Sequence, residues 1–271
     1  MQTAQLPARL HVSRVVERRE LAAGVVGLTI HAPDLAVNVL AGQFVMAMLP
    51  SGDAAAVALA VYDVDGENVS LLFFVAGRRT RELAALDVDE SISLLGPLGN
   101  GFDLTDAPRD VAIVAGGVGI ASVLLPARAL VRAGARVRLF YGARTAALLV
   151  ERERFAQAGC ELVLATEDGS EGTRGYVTHA LEAHPPARLL LACGPTPMLR
   201  AVARIATRHG IAAQLSLEEA FGCGVGGCWG CVVAVAATSP RAPAFPSNDE
   251  GISYARVCRE GPVFTAQELR W

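Results

Sequence analysis

Between Leu10 and about residue 95 the chain alternates short apolar runs with turn residues. The runs are 25–30 (VVGLTI), 44–49 (FVMAML), 69–75 (VSLLFFV) and 91–95 (SISLL), and breaks fall at Gly42-Gln43, Pro50-Ser51-Gly52 and Asp65-Gly66. Apolar runs of this length, bounded by turn residues, predict strands. Several in succession without a long helix predict a small antiparallel barrel.

After Asp103 the texture changes. Residues 110–115 (DVAIVA) read as a strand, 116–119 as a glycine turn and 120–133 as a helix. Strands at 137–141, 162–166 and 189–192 then alternate with helices at 146–158, 177–184 and 197–209. Such alternation predicts a parallel sheet with helices on both faces, an α/β domain. From residue 215 onward helical signals are few and cysteines are concentrated. The chain therefore divides into a barrel (1–105), a wound α/β domain (106–214) and a small cysteine-bearing domain (215–271).

The 271 residues are 52% hydrophobic and 19% charged, which supplies cores for two domains and a small appendage and excludes a disordered chain. A formal net charge of -3, with no Lys/Arg stretch interleaved with aromatics, argues against nucleic-acid binding. The first 20 residues carry charges every few positions and read as no secretory signal. The longest apolar stretch, 111–125, is broken by glycines and reads as strand, turn and helix start, not as a membrane span. A cytoplasmic location is expected, where six cysteines favour metal or redox chemistry over disulfides.

Cys223, Cys228 and Cys231 stand in the spacing C-x4-C-x2-C within EEAFGCGVGGCWGCVV, and Cys258 follows in YARVCREGPVF. This is the plant-type ferredoxin spacing for a [2Fe–2S] cluster. Two sulfide-bridged irons need four thiolates in a small volume, and a glycine-rich loop supplies three while aiming backbone N–H groups at the sulfurs. Zinc sites usually draw their ligands from C-x2-4-C pairs, which this triplet fits poorly. Outside the motif, Cys160 reads as an inert half-buried thiol, and Cys193 is the candidate catalytic residue.

Gly116, Gly117 and Gly119 follow an apolar strand and open a helix, where a dinucleotide phosphate would sit. GGVG lacks the full G-x-G-x-x-G fingerprint, and a plain tight turn explains it equally well. Three further strand ends belong to the same carboxyl edge of the sheet: YGART with Arg144, TEDGS with Asp168, and ACGP with Gly194 and Pro195. Ligands of open α/β sheets bind along that edge.

Taken together, these segments resemble the electron-transfer subunit of the class 1B dihydroorotate dehydrogenases, within the ferredoxin–NADP reductase superfamily. The likeness runs through AGQFV (41–45), GPLGNGF (96–102), GGVGIA (116–121), YGART (141–145), TEDGSEGTRGYVT (166–178), ACGPTPML (192–199), the cysteine loop and YARVCREGPVF (254–264). It implies a flavin-binding barrel, an NAD-binding domain and a C-terminal [2Fe–2S] domain. It further implies electron flow between NAD(P)H, FAD and the cluster, and a partner subunit holding FMN in a heterotetramer serving pyrimidine biosynthesis. Gly77, Arg78 and Thr80 fall on the family's second flavin-phosphate element, G-x-G-T.

The chain departs from the family at the flavin. The arginine-led motif R-x-P/Y-x-S/T is replaced by the alanine-rich stretch 54–61, with Ala60 where a hydroxyl is expected. Arg79 replaces the second glycine of G-x-G-T, and Ala220 stands where an arginine is usual. Arg78, Arg79 and Arg81 offer compensating charge from the other side. Two other readings stay open: a paralogue serving a different oxidoreductase, and a cluster-bearing module that has lost flavin.

Overall fold

The computed structural model describes residues 8–52, 56–184, 187–242 and 251–271, so Ala54 and Ala55 of the alanine-rich stretch lie outside the described residues. Its first part is a closed barrel of β1 (Arg9–Ala22), β2 (Val25–His31), β3 (Phe44–Ala47), β4 (Val57–Asp65), β5 (Asn68–Phe74) and β6 (Ser91–Leu98), in the order β1-β2-β5-β4-β3-β6. β1 closes it by pairing with β6 through residues 9–14 and with β2 through residues 14–22. Period-two alternation sends Val45, Ala47, Leu59, Val61, Val69, Leu71, Phe73, Ile92 and Leu94 inward to the barrel core. The opposite phase, including Phe44, Met46, Ala58 and Ala60, faces the rest of the molecule. Two short helices decorate the barrel, α1 (Pro33–Ala36) and α2 (Arg78–Ala84). α2 has no hydrophobic pattern that predicts it, since its apolar face is little more than Leu83 and Ala84.

The second part is a seven-stranded sheet. β7 (Asp110–Gly116), β8 (Arg136–Ala143), β9 (Glu161–Thr166), β10 (Thr173–Arg174), β11 (Leu189–Cys193) and β12 (Ala212–Ser216) run parallel, in the order β10-β9-β8-β7-β11-β12. The helices are α3 (Leu124–Arg132), α4 (Arg152–Gln157), α5 (Val177–Glu182) and α6 (Thr196–His209). Alternate residues of β7 feed opposite layers: Val111, Ile113 and Ala115 pack with α3 and α4, whereas Ala112 and Val114 pack with α5 and α6. Covering both faces in this way makes the central strands β7 and β11 nearly continuously apolar.

Two expected helices are shorter than their patterns. Residues 117–122 form a 3-10 turn ahead of α3, so β7 does not lead directly into an α-helix. Residues 146–158 are split: Glu151 adopts φ 59, and its buried carboxylate accepts from Arg19 Nη1 at 2.9 Å and the Tyr62 hydroxyl at 3.0 Å. A tertiary demand on one carboxylate thus breaks a helix that local pattern favours.

Around the cysteines lie a hairpin of β13 (Val232–Ala236) and β14 (Ile252–Arg256), and β15 (Val263–Thr265), which joins the large sheet antiparallel to β12. The boundary at 214/215 therefore falls inside β12, and the sheet takes strands from both sides of the cysteine loop. Asn100 ties this segment to the barrel: its Nδ2 donates to the Val263 carbonyl at 2.9 Å, and its Oδ1 accepts from the Val263 amide at 2.9 Å.

Candidate functional site

Three sites lie side by side. The first is a cavity of about 850 Å³ over the carboxyl ends of the parallel strands, lined by Gly116, Gly117, Val118, Gly142, Arg144 and Pro195 among others. The glycines serve different ends. A Cβ on Gly116 would lie 2.7 Å from Met198 Sδ, and one on Gly119 would run into the Cys193 carbonyl, so the first lets the start of α6 close on β7 and the second lets the 3-10 turn close on the end of β11. Gly194 meets Met198 and Gly116 in the same way and does not reach the cavity wall. Gly117, at φ 53 with open space where a Cβ would stand, is the glycine a phosphate could approach. Arg144 is exposed on the same wall. Asp168 lies outside the lining and braces its own loop, accepting from the Ser170 amide at 2.9 Å and hydroxyl at 2.6 Å. Those donors hold its carboxyl below the usual range. Glu167, its neighbour, lines the cavity instead.

The second site is a cavity of about 420 Å³ between the barrel, the 3-10 turn and the start of the cysteine segment. Its apolar wall is Phe44, Ala58, Leu59, Ala60, Phe74 and Phe221, and Thr80, Ser122, Ser216 and Glu218 supply polar groups. Phe74 and Val118 belong to the walls of both cavities. Ala58 and Ala60 are thus small because they face this space, Ala60 opposite Phe44 in the β3–β4 ladder. Thr80 Oγ1 accepts from the Gly77 amide at 3.1 Å, which fixes the start of α2 at the cavity edge, and Arg78 is the first residue of that helix. A planar, mostly apolar ring fits such a wall. Among the described residues the lining carries no arginine, so cations for a diphosphate must come from the start of α2.

Sequence reasoning missed the polar floor of this cavity. Cys193 is fully buried and is not part of the lining; its thiol donates to Glu218 Oε1 at 3.6 Å and contacts Ser122 and Ser216. Burial first, and then the Glu218 charge, push the thiol far above the usual cysteine range. Burial likewise raises Glu218. The only sequence signal was LEE (217–219), directly ahead of the cysteine loop.

The third site is the cysteine constellation. The thiols meet in pairs: Cys223 with Cys228, and Cys231 with Cys258. Two pairs, one for each iron, suit a two-iron cluster held by four thiolates. Backbone donors surround them: the Gly227 amide lies 3.2 Å from Cys223 Sγ, the Cys228 amide 3.4 Å from the same sulfur, and the Cys258 amide 3.5 Å from Cys231 Sγ. Burial alone would raise the Cys223 thiol, but the N–H groups of Val225, Cys228 and Gly227 and the Cys228 thiol bring it down to about 6. The donor set and its N–H cradle fit the cluster. Cys228 is exposed whereas Cys231 and Cys258 are buried, so one edge faces solvent beside Val225 and Trp229. The other side adjoins the flavin-sized cavity: Phe221 packs on Phe44 with ring centroids 4.9 Å apart, and a Cβ on Gly224 would lie 2.5 Å from Met46 Cγ.

Residues 218–270 match the family model for the iron–sulfur cluster binding domain of dihydroorotate dehydrogenase B, and residues 113–204 match the oxidoreductase NAD-binding domain. A dihydroorotate dehydrogenase B (NAD(+)) electron transfer subunit from Caldanaerobacter subterraneus subsp. tengcongensis is 34% identical over 258 residues, 95% of this chain and 97% of that one. This chain belongs to that family of electron transfer subunits. The family member from Geobacillus kaustophilus is 39% identical over 203 residues, 74% of this chain and 73% of its own. Among solved structures, the NADH-dependent reduced ferredoxin-NADP oxidoreductase studied for flavin-based electron bifurcation superposes with a TM-score of 0.83 at 28% identity, covering 96% of this chain and 90% of that one. The ferredoxin reductase of carbazole 1,9a-dioxygenase, at 23% identity and a TM-score of 0.67, shares the barrel-plus-sheet fold over 76% of this chain and 67% of its own. Like the family, the chain pairs a barrel and an NAD-binding sheet with a C-terminal cluster domain. Among the described residues no helix is long and apolar enough to cross a membrane.

Proposed function

We propose that this chain carries electrons between NAD(P)H, FAD and a [2Fe–2S] cluster, to or from an FMN-containing catalytic subunit that interconverts dihydroorotate and orotate. The observation that carries this reading is contiguity: Phe74 and Val118 wall both cavities, and Phe221 links the second cavity to the cysteine loop. A flavin takes two electrons as a hydride and releases them singly, and a two-iron cluster accepts them one at a time. Gly117 and Arg144 bind the dinucleotide, with Pro195 and Met198 closing its cavity. Thr80 and the arginines at the start of α2 hold the flavin phosphates, and Ser122 and Glu218 face its ring. Cys223, Cys228, Cys231 and Cys258 hold the cluster. Cys193 acts only through Glu218 and so is a positioning residue. The partner docks over the solvent-facing edge around Cys228, Val225 and Trp229, in a heterotetramer of two subunit types in the cytoplasm.

The arginine-free lining favours a second reading, a cluster-bearing module without flavin. Acid-extracted flavin, iron and sulfide per chain, from protein purified without oxygen, separate the two. FAD together with two irons is the expected result. Iron and sulfide without flavin would overturn the relay and leave the module.

A further inference from the structure

Arg256 is not used in the relay described above. It ends β14, two residues before the ligand Cys258, yet its side chain reaches the cysteine loop. Its Nη1 donates to the Gly226 carbonyl at 2.7 Å, and its guanidinium carbon lies 4.6 Å from the centre of the Trp229 ring. Glu260 faces it across the turn that follows β14: Arg256 Nε donates to Oε2 at 3.0 Å, Nη2 donates to Oε1, and the Arg256 amide donates to Oε2 at 2.7 Å. The two side chains are only 17% and 15% exposed. Gly226 is the link to the ligands, because the peptide whose carbonyl Arg256 holds carries the Gly227 N–H, which donates to the Cys223 sulfur at 3.2 Å. The Gly226 φ of 84 and the crowding over it, with a Cβ placed 2.7 Å from Arg259 Cδ and 3.3 Å from Arg256 Nη1, require glycine at this position.

Charges withdrawn from water act on their neighbours with little screening. A cation beside a cluster favours the added electron, an anion opposes it, and an N–H donor to a ligand sulfur acts in the same sense as the cation. We propose that the Arg256–Glu260 pair positions the cysteine loop and sets the reduction potential of its cluster. Arg256 holds the Gly226–Gly227 peptide, whose N–H serves Cys223, and places a positive charge beside the ligands; Glu260 offsets that charge. The proposal rests on the four-cysteine cluster reading.

The test is a redox titration of the intact protein, followed by the electron paramagnetic resonance of the reduced cluster, after iron and sulfide analysis of each preparation. In Arg256→Gln the equilibrium constant for reduction falls about tenfold or more, which for one electron is a downward shift of about 59 mV. In Glu260→Gln, where the amide oxygen still accepts from Arg256, it rises. Opposite signs are the mark of charge control, since a merely loosened loop would move both variants the same way. Unchanged potentials, or shifts of one sign, in variants that keep their cluster overturn the proposal. Should Arg256→Gln lose iron, Glu260→Gln decides alone: an upward shift supports the proposal and any other result overturns it. A wild-type protein without two irons and two sulfides overturns the ligand reading itself.

Discussion

Cys228 is the exposed member of the four thiols, so its removal disturbs the cluster while leaving the packed interior untouched. Cys228→Ser is expected to lose most iron and sulfide and to keep the circular dichroism of the α/β domain; full metal content would sink the ligand assignment. Glu218 tests the polar floor of the flavin-sized cavity. Burial raises its carboxyl above the ordinary value of 4.5, with the Cys193 thiol pulling weakly the other way. A carboxyl raised in the folded state costs nothing while protonated and destabilises the fold as pH climbs through the raised value. Stability is therefore expected to fall with rising pH from 4.5 upward, and Glu218→Gln, which cannot ionise, to flatten that slope in denaturant titrations. An unchanged slope would mean that Glu218 is not the titrating group. Cys258, 27 residues beyond Cys231, meets it only in the fold, but the C-x4-C-x2-C spacing of Cys223, Cys228 and Cys231 made the candidate ligands legible. Glu218 was not legible, because its role depends on Cys193, 25 residues earlier on another strand.

At the scale of elements, the barrel and the sheet are joined by a polar clasp. Asp63 on β4 is 1% exposed and pairs with Arg128 of α3 and with Arg154 of α4 at 2.5 Å, while Glu151 accepts from Tyr62 of β4 and Arg19 of β1. Removing one partner of a buried pair costs about 3–5 kcal/mol, less where the orphaned charges can reach water. The arginines are 26% and 30% exposed, so Asp63→Ala is expected to cost about 2–3 kcal/mol. That corresponds to a fall of roughly 5–10 °C in Tm by calorimetry. A shift within error would show that the clasp is ornamental. The junction of β7 and β11 is tighter still. Gly119→Ala would press a methyl into the Cys193 carbonyl and the Gly194 Cα, and is expected to weaken NADH binding and lower Tm together. The strands β7, β8, β9 and β11 and the helices between them followed from hydrophobic pattern, whereas α2, with little more than Leu83 and Ala84 as its apolar face, did not. The 3-10 turn at residues 117–122 and the break at Glu151 did not, since each answers to a contact made across the fold.

For the whole molecule, adjacency of the three sites is the functional fact, and it yields a kinetic expectation. NADH mixed rapidly with purified protein should bleach flavin first and the cluster afterwards, and should leave flavin-free protein oxidised. Rapid reduction of a flavin-free preparation would refute the route through the second cavity. By itself the sequence determined the barrel and the wound α/β domain, which rest on the alternation of strand and helix patterns, and it marked the candidate cluster cysteines through the spacing of the first three. It also marked the glycine turn, though not which glycine is open to a ligand. Only the tertiary structure decided that Gly117 faces the cavity while Gly119 and Gly194 serve packing. Nor could spacing show that β12 and β15 bracket the cysteine loop into the large sheet, or that Ala58 and Ala60 are small toward a shared cavity. The reason is physical: a hydrophobic pattern states which side of an element is buried, but what it is buried against is settled by elements far away in the chain.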